Sequence, residues 1–465
     1  MLMRPTKLSS LIESGYSSQT TKSEIKRNAI DRIRANRPIL DGLVGYESTV
    51  LPQLEHAILA DHDIILLGER GQGKTKLIRS LVELLDEWVP FLVGSELNDD
   101  PSAPISASGR AIVERDGGES EVGYMHRSQR YSEKLATPDT SIADLVGEID
   151  PIKVAEGRYL VDENVIHFGM VPRTNRGIFA INELPDLPER IQVGLLNLLE
   201  ERDVQIRGFK IRLPLDLLFV ASANPEDYTN RGRLITPLKD RFGAQIRTHY
   251  PMDAATEIDV IHQEARIDPP EGIELVFPEF MEHVVANFAQ FARKSPSVNQ
   301  RSGVSVRMSI AAYETLSAVS IVRALRLGES VASPRVSDLV HIGPAVSGKI
   351  EVDALEDAEE FQVISKLMSQ AVLATFREFV RHDTLAGVTS SFNEVSFDVG
   401  SDLPGDSYRT ALLDHPELGK AAFELVGETD PAMMASAVEL ILEGLHLSKR
   451  LNKHSGVAET TYFAK

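Results

Sequence analysis

Residues 68–75 read Gly-Glu-Arg-Gly-Gln-Gly-Lys-Thr, and no other stretch constrains the fold as tightly. They fit G-x-x-x-x-G-K-[ST] at every position. The apolar run DIILLG (63–68) leads into them, and KTKLIRSLVELLDEW follows with helical spacing. A short apolar run ending in Gly predicts a buried parallel strand. Strand, glycine loop and helix together open a nucleotide-binding βα unit. Glycines let backbone N–H groups turn inward around phosphate oxygens. The helix N-terminus adds unpaired donors and a positive dipole end. Gly68, Glu69, Arg70, Gly71, Gln72, Gly73, Lys74 and Thr75 are therefore the expected phosphate cradle. Lys74 is placed to reach the β- and γ-phosphates and Thr75 to ligate Mg²⁺. The bland alternative, a Gly-rich turn without a ligand, does not account for the flanking strand and helix.

Hydrolysis needs further groups, and the chain offers candidates. The strand GIFAI ends in Asn182-Glu183. A carboxylate at such a strand end can polarise an attacking water, so Glu183 is the expected base; the alternative is a surface glutamate. Most P-loop enzymes place an Asp where Asn182 stands. An amide there can hydrogen-bond a metal-bound water but brings no charge, which predicts weaker metal binding or slower turnover. Asn224 ends LLFVASAN and can orient the water against the γ-phosphate. Arg241, within Asp240-Arg241-Phe242, suits an arginine finger; its alternative is an ion pair with Asp240. Arg307 stands early in the predicted helix SVRMSIAAYE and could contact nucleotide from a helical domain. Its alternative is a solvated helix arginine.

The 465 residues correspond to about three domains. We divide them into an N-terminal tail and basic helix (1–41), an α/β nucleotide-binding domain (42–250), a helical lid (251–350) and a helical C-terminal region (351–465). Residues 1–21 are polar and read as a loose tail. Residues 22–37 carry six basic and two acidic side chains, as a solvated amphipathic helix or a docking arm for an acidic partner or nucleic acid. Residues 94–135 read as an inserted loop or hairpin. DVQIRG and FKIRL alternate around Gly208 as a β-hairpin. Beyond 251 helical patterns dominate, and 387–407 reads as a linker.

A formal charge of −20 argues against a general nucleic-acid coat. The absence of Cys removes disulfides, thiolate metal sites and Cys nucleophiles. No signal peptide or run of about 18 apolar residues is visible, so no membrane association is expected and the cytoplasm is the default.

GLVGYE, GERGQGKT, GIFAINELPDL, VASANPEDY and PLKDRFG, in this order and spacing, resemble AAA+ ATPases. NLLEERDVQIRGFKIRLPLDLLFVASANPEDY is similar to the MoxR and magnesium-chelatase ATPase-subunit branch, which carries a β-hairpin before the sensor-1 strand. The resemblance covers about residues 40–350. It implies a P-loop AAA+ core with a mostly parallel sheet, followed by a helical lid and a helical C-terminal region. It further implies ATP and Mg²⁺ as cofactors. By this likeness Gly68–Thr75 resemble Walker A, Asn182 and Glu183 the Walker B pair, Asn224 sensor 1, Arg241 the finger and Arg307 sensor 2. Val44 and Gly45 match the segment bordering the adenine pocket. The family forms rings, typically hexamers, and works with a separate partner bearing a von Willebrand factor A-type domain.

The leading expectation is an Mg²⁺-dependent ATPase that remodels a protein partner or assists metal insertion. Residues 94–135 and the hairpin at 204–213 would be its moving parts. A DNA translocase is the alternative that Arg207, Lys210 and Arg212 keep open, and a non-hydrolysing nucleotide switch the one that Asn182 keeps open. No G-A-F-T-G-A loop of a transcription activator occurs in 94–135.

Overall fold

The structure, a computed structural model, describes residues 4–149, 166–200, 204–206, 209–211, 213–224, 233–299, 302–352, 357–383, 385, 387–393, 395–427, 429–456 and 459–465. It divides into two compact units, Met1–His249 and Tyr250–Lys465.

The first unit is built on a parallel five-stranded sheet. Its strands are β1 (Ile64–Leu67), β4 (Tyr131–Leu135), β7 (Gly177–Asn182), β10 (Leu217–Ala223) and β11 (Ala244–Arg247), in the order β11-β1-β10-β7-β4. β2 (Trp88–Leu92) and β3 (Val122–His126) form an antiparallel ribbon beside it, as do β5 (Gly147–Ile149) with β6 (Ile166–Phe168), and β8 (Val204–Ile206) with β9 (Phe209–Ile211). The three central strands are buried along their whole length. They read as near-continuous apolar runs because helices cover both faces of a parallel sheet.

Strand alternation divides those side chains between two cores. Ile65, Phe179, Ile181 and Phe219 meet Leu195 and Leu198 of α6 (Glu189–Glu200) and Leu238 of α7 (Thr236–Arg241). Ile64, Leu66, Ile178 and Val220 meet residues from α2 (Thr21–Arg34), α3 (Val50–Leu59) and α4 (Lys74–Ser80). Helix α5 (Ala107–Asp116) lies between β2 and β3 in sequence.

Three expectations for this unit need correction. Residues 94–135 are not a simple insertion, because their last five residues form β4, the sheet's edge strand. Residues 4–21 are not a loose tail. Helix α1 (Leu8–Glu13) buries Leu8 and Leu11 against Val122, and Val122 N–H donates to Thr6 O at 2.9 Å. The basic helix α2 is neither merely solvated nor a free arm. Ile25 and Ala29 lie in the core, Lys22 pairs with Asp63 at 3.0 Å, and Arg27 pairs with Asp86 at 2.6 Å.

The second unit has one hydrophobic core, fed both by residues before 350, such as Met281, Phe288 and Leu316, and by residues after it, such as Phe376 and Leu440. Its main helices are α8 (Ala254–Glu264), α9 (Glu279–Lys294), α10 (Val306–Leu327), α11 (Asp357–Phe379), α12 (Gly405–Ala411), α13 (Pro416–Val426) and α14 (Pro431–Leu447). Helices dominate here as expected, with two small sheets that the sequence reading did not signal. β12 (Glu274–Leu275) pairs with β13 (Val331–Ala332), and β14 (Phe397–Val399), β15 (Leu451–Ser455) and β16 (Thr460–Ala464) form an antiparallel sheet in the order β14-β16-β15. The expected linker 387–407 contributes β14 and buries Phe392, Phe397 and Val399. Among the described residues, α10 alone is long and apolar enough to cross a membrane; Met308, Ala312 and Leu316 on it join the core.

Candidate active site

The sheet register brings the predicted residues to one end of three neighbouring strands. Leu67 of β1 pairs with Ala223 of β10, and Ile181 of β7 pairs with Ala221. The chain therefore leaves β1 at Gly68 where β10 ends at Asn224, and β7 reaches Asn182 and Glu183 on the far side of β10. Parallel strands put these ends together because all of them run the same way.

Gly68 N–H donates to Ala223 O at 3.1 Å, tying the loop to β10. Across Gly68, Thr248 Oγ1 donates to Gln72 Oε1 at 2.7 Å, and Gln72 Oε1 also accepts from Glu69 N–H at 3.1 Å. A Cβ at 68 would stand 1.9 Å from Thr248 Oγ1 and 2.2 Å from Gln72 Oε1, so only Gly admits this bridge. Gly71 and Gly73 lie in the left-handed region, at φ 73° and 69°, where a β-carbon is strained. Gly73 caps α4, whose first residue is Lys74.

Lys74 is 7% exposed. Its Nζ donates to Gly68 O, to Glu69 O at 2.8 Å and to Asn224 Oδ1 at 2.9 Å. The loop lysine and the strand-end asparagine, 150 residues apart in sequence, are thus in direct contact. Thr75, half-buried, follows in the first turn of α4, and Arg70 is exposed at the loop's crest.

Asn182 is buried and held on two sides. Ser222 Oγ donates to its Oδ1 at 3.0 Å, and its Nδ2 donates to Glu133 Oε1 at 2.7 Å. Glu183 adopts φ 54° and ψ 46°, a left-handed backbone that is costly for a non-glycine residue. Its N–H donates to Ser222 Oγ at 3.3 Å, and its Oε2 is shut off from solvent. The strained turn carries the carboxylate past the strand end. Thr75, Asn182 and Glu183 all offer oxygen, the donor type that a hard dication such as Mg²⁺ takes, so this residue set fits the ion.

Val44 and Gly45 are half-buried beside Tyr46. The Tyr46 hydroxyl lies against Gln72 O and is 3.1 Å from His249 O, and its ring meets His249 edge-on at 5.1 Å. Thr49 Oγ1 lies 2.7 Å from His249 Nε2. Burial pushes the Tyr46 hydroxyl up to about 12, so it stays protonated and the segment 44–49 is anchored to the loop by neutral groups.

Two further arginines were expected at the site. Arg241 ends α7 and pairs with Glu200 at the end of α6, through Nε at 2.8 Å and through Nη2. The expected alternative partner, Asp240, is not the one it takes. Arg307 is exposed at the start of α10, where Ser305 caps the helix, and belongs to the second unit. Of the hairpin cations, Arg207 and Arg212 lie outside the described residues, and Lys210 is described by its backbone alone.

Sequence reading missed Thr248, Ser222 and Glu133. Ser222 and Thr248 carried a weak signal, being polar residues near the ends of apolar strands. Glu133 carried none, because β4 itself went unrecognised.

A family model for the AAA domain of the dynein-related subfamily matches residues 122–242, which span β3 to the residue after Arg241 and leave out the glycine loop. The chain is 29% identical over 223 residues to the magnesium-chelatase subunit ChlI of Anabaena variabilis, covering 46% of this chain and 62% of the relative. The ChlI of a Nostoc species matches at 29% over 223 residues, covering 46% and 56%. ChlI-2 of Arabidopsis thaliana matches at 28% over 210 residues, covering 44% and 47%. The chain thus spans only about half to three-fifths of the length of these relatives. Among solved structures, the complex of magnesium-chelatase subunits BchI and BchD aligns at 20% identity over 68% of this chain and 97% of that one, with a TM-score of 0.36. NtrX of Brucella abortus with ADP aligns at 16% over 76% and 67%, with a TM-score of 0.37. By the family match and the sequence relatives, the chain is similar to AAA+ ATPases and, among them, to magnesium-chelatase subunits.

Proposed function

We propose that the protein binds and hydrolyses ATP with Mg²⁺ and uses the cycle to remodel a protein partner. The observation that carries this reading is the contact between Lys74 and Asn224, which joins the glycine loop to the strand end where a sensor asparagine is needed. Lys74 exchanges loop carbonyls for phosphate oxygens when the nucleotide enters. Backbone N–H groups of the loop hold the remaining phosphate oxygens. Glu183 takes the proton of the attacking water, and Asn224 orients that water. Magnesium, when bound, would offset the negative charge of the phosphates; Thr75 and Asn182 would hold it. Arg241 acts on the nucleotide of a neighbouring copy in a ring, most simply a hexamer, after leaving Glu200. Arg307 and the segment 251–350 form the lid, and Val44 and Gly45 border the adenine.

The relatives named magnesium chelatase support a narrower version in which the remodelling serves metal insertion; the proposal takes a von Willebrand factor A-type protein as partner and the cytoplasm as compartment. A non-hydrolysing switch is the second reading, favoured by the uncharged Asn182.

The two are separated by Glu183→Gln. We expect this variant to bind ATP as tightly as wild type and to release no phosphate. A phosphate-release assay in which Glu183→Gln and wild type are equally active would remove Glu183 from the chemistry. Equal inactivity of both, with ATP still bound, would establish the switch.

A further inference from the structure

Asn182 stands where a carboxylate is usual, and yet a carboxylate lies 2.7 Å from it. We propose that Glu133, on the neighbouring edge strand, supplies the negative charge that position 182 lacks, with Asn182 as the relay between that charge and the magnesium-bound nucleotide. The proposal rests on the nucleotide reading above and assigns Glu133 as a positioning residue within it.

Three observations converge. The first is the orientation of the Asn182 amide. A carboxylate can only accept, so the group facing Glu133 must be the NH₂, and Ser222 Oγ donates to the opposite oxygen at 3.0 Å. The amide is therefore fixed with Oδ1 away from Glu133. That oxygen keeps a second lone pair for a metal-bound water, and the hydrogen bond to a charged acceptor polarises the amide so that Oδ1 is more negative.

The second is the placement of Glu133. Strand β4 pairs with β7 in parallel, with Glu133 opposite Ala180, two residues before Asn182. The side chain must reach forward to the strand end, and it is held there. Tyr131 donates to it at 2.8 Å, and Arg79 donates through Nε at 2.8 Å and Nη2 at 3.0 Å. Arg79, Tyr131 and Asn182 all donate to its oxygens, so the carboxyl group acts as an acceptor toward each of them, with a guanidinium as one of the donors.

The third is the helix that Arg79 comes from. Arg79 lies four residues after Thr75 on α4, and residues four apart share a helix face. Glu133 therefore meets the face of α4 that begins at the magnesium-ligating threonine. Three elements converge on one carboxylate: β4, which carries it and Tyr131, β7 through Asn182, and α4 through Arg79. A glutamate that merely decorated a sheet edge would need none of them.

The test measures nucleotide affinity with a fluorescent ADP analogue, first in EDTA and then across a magnesium titration. Glu133→Gln is expected to leave the affinity in EDTA unchanged and to raise the magnesium midpoint about tenfold, the usual scale for a lost outer-shell partner. The decisive variant is the exchange Glu133→Gln with Asn182→Asp. It keeps one amide and one carboxylate in contact and moves the charge to position 182. The exchange is expected to restore the wild-type midpoint, which a purely structural role for Glu133 would not predict. Asn182→Asp alone places two carboxylates in contact and is expected to bring no gain. An unchanged midpoint in Glu133→Gln, or an exchange that fails to restore it, overturns the proposal. If Glu133→Gln does not fold, as loss of binding in EDTA would reveal, the exchange variant decides alone. A wild-type protein that binds no ADP analogue in either condition overturns the nucleotide reading itself, a failure distinct from the others.

Discussion

In the unit Met1–His249 the Lys74 ammonium, 7% exposed, is held by the carbonyls of Gly68 and Glu69 and by the Asn224 amide. In the unit Tyr250–Lys465 the Arg323 guanidinium, 6% exposed, is held by the Asp338 carboxylate and the Ser333 carbonyl. The two cations are equally buried, and the oxygens just named differ in kind: two loop carbonyls and an amide for Lys74, a carboxylate and a carbonyl for Arg323. Arg323 meets an anion that is itself fully buried, and Asp338 also accepts from Arg335 N–H at 2.8 Å. Buried ion pairs occur in both units: Glu24 receives Arg130 at 2.7 Å in the first, and Glu257 receives Arg293 at 2.6 and 2.9 Å and the Ser309 hydroxyl in the second. A lysine of a glycine loop is expected to exchange its oxygens for phosphate, whereas a cation held by a buried carboxylate is a staple.

Removing each cation breaks or sharpens that comparison most strongly. Arg323→Ala leaves Asp338 buried and unpaired, which costs about 3–5 kcal/mol. It should lower the unfolding transition of the second unit markedly in thermal or urea denaturation. Lys74→Ala should abolish measurable binding of adenine nucleotides. If Lys74→Ala binds nucleotide as wild type does, or Arg323→Ala unfolds no more easily than wild type, the distinction between a binding cation and a staple fails.

How much of this was legible beforehand follows the same division. The glycine loop, its lysine, Asn224, Asn182 and Glu183 could all be read, because a phosphate cradle needs fixed residue types at fixed spacing and buried parallel strands read as apolar runs. Strand β4 could not. Its sequence, YSEKL, is half-exposed along an edge, and its pairing with β7 comes from tertiary context rather than from its own apolar pattern. Glu133 was hidden with it. The three-stranded sheet of the second unit was missed for a similar reason. LNKHS and TTYFA are mostly polar, and β14 joins them from more than 50 residues away. The partner of Arg241 was missed because helix ends that meet in space, here α6 and α7, leave no mark in local sequence.

A smaller effect separates the units by pH. Glu439 of α14 is pushed up, chiefly by complete burial, against the pull of Arg335 and the hydrogen bond from Tyr408. A carboxyl whose folded pKa is raised holds its proton longer in the folded state. Stability should therefore fall as pH rises from about 4.5, the unfolded value, through the folded pKa. Glu133 shifts the other way. Its contribution is present above the unfolded value and is lost as pH falls through the folded one. Unfolding measured as a function of pH should then show Glu439→Gln flattening the loss on the neutral side and Glu133→Gln flattening the loss on the acid side. A single variant that flattens both would mean that the two carboxyls do not titrate in separate surroundings.

The smallest expected effect comes from Arg79, whose pairing with Glu133 has the same chemistry as the Arg323–Asp338 pair but sits in water. The Arg79 side chain is 63% exposed, against 5% for Arg323. An exposed pair gains little Coulomb energy in high dielectric and must immobilise a long side chain to form, so such pairs are worth about 0.2–1 kcal/mol. Arg79→Ala should therefore cost no more than about 1 kcal/mol in the unfolding of the first unit, several-fold less than Arg323→Ala in the second. Glu133 would keep its hydrogen bonds from Tyr131 and Asn182 and remain an anion. A loss of several kcal/mol on Arg79→Ala would mean that this pair, too, is a staple, and that the edge of the sheet depends on it as the second unit depends on Arg323.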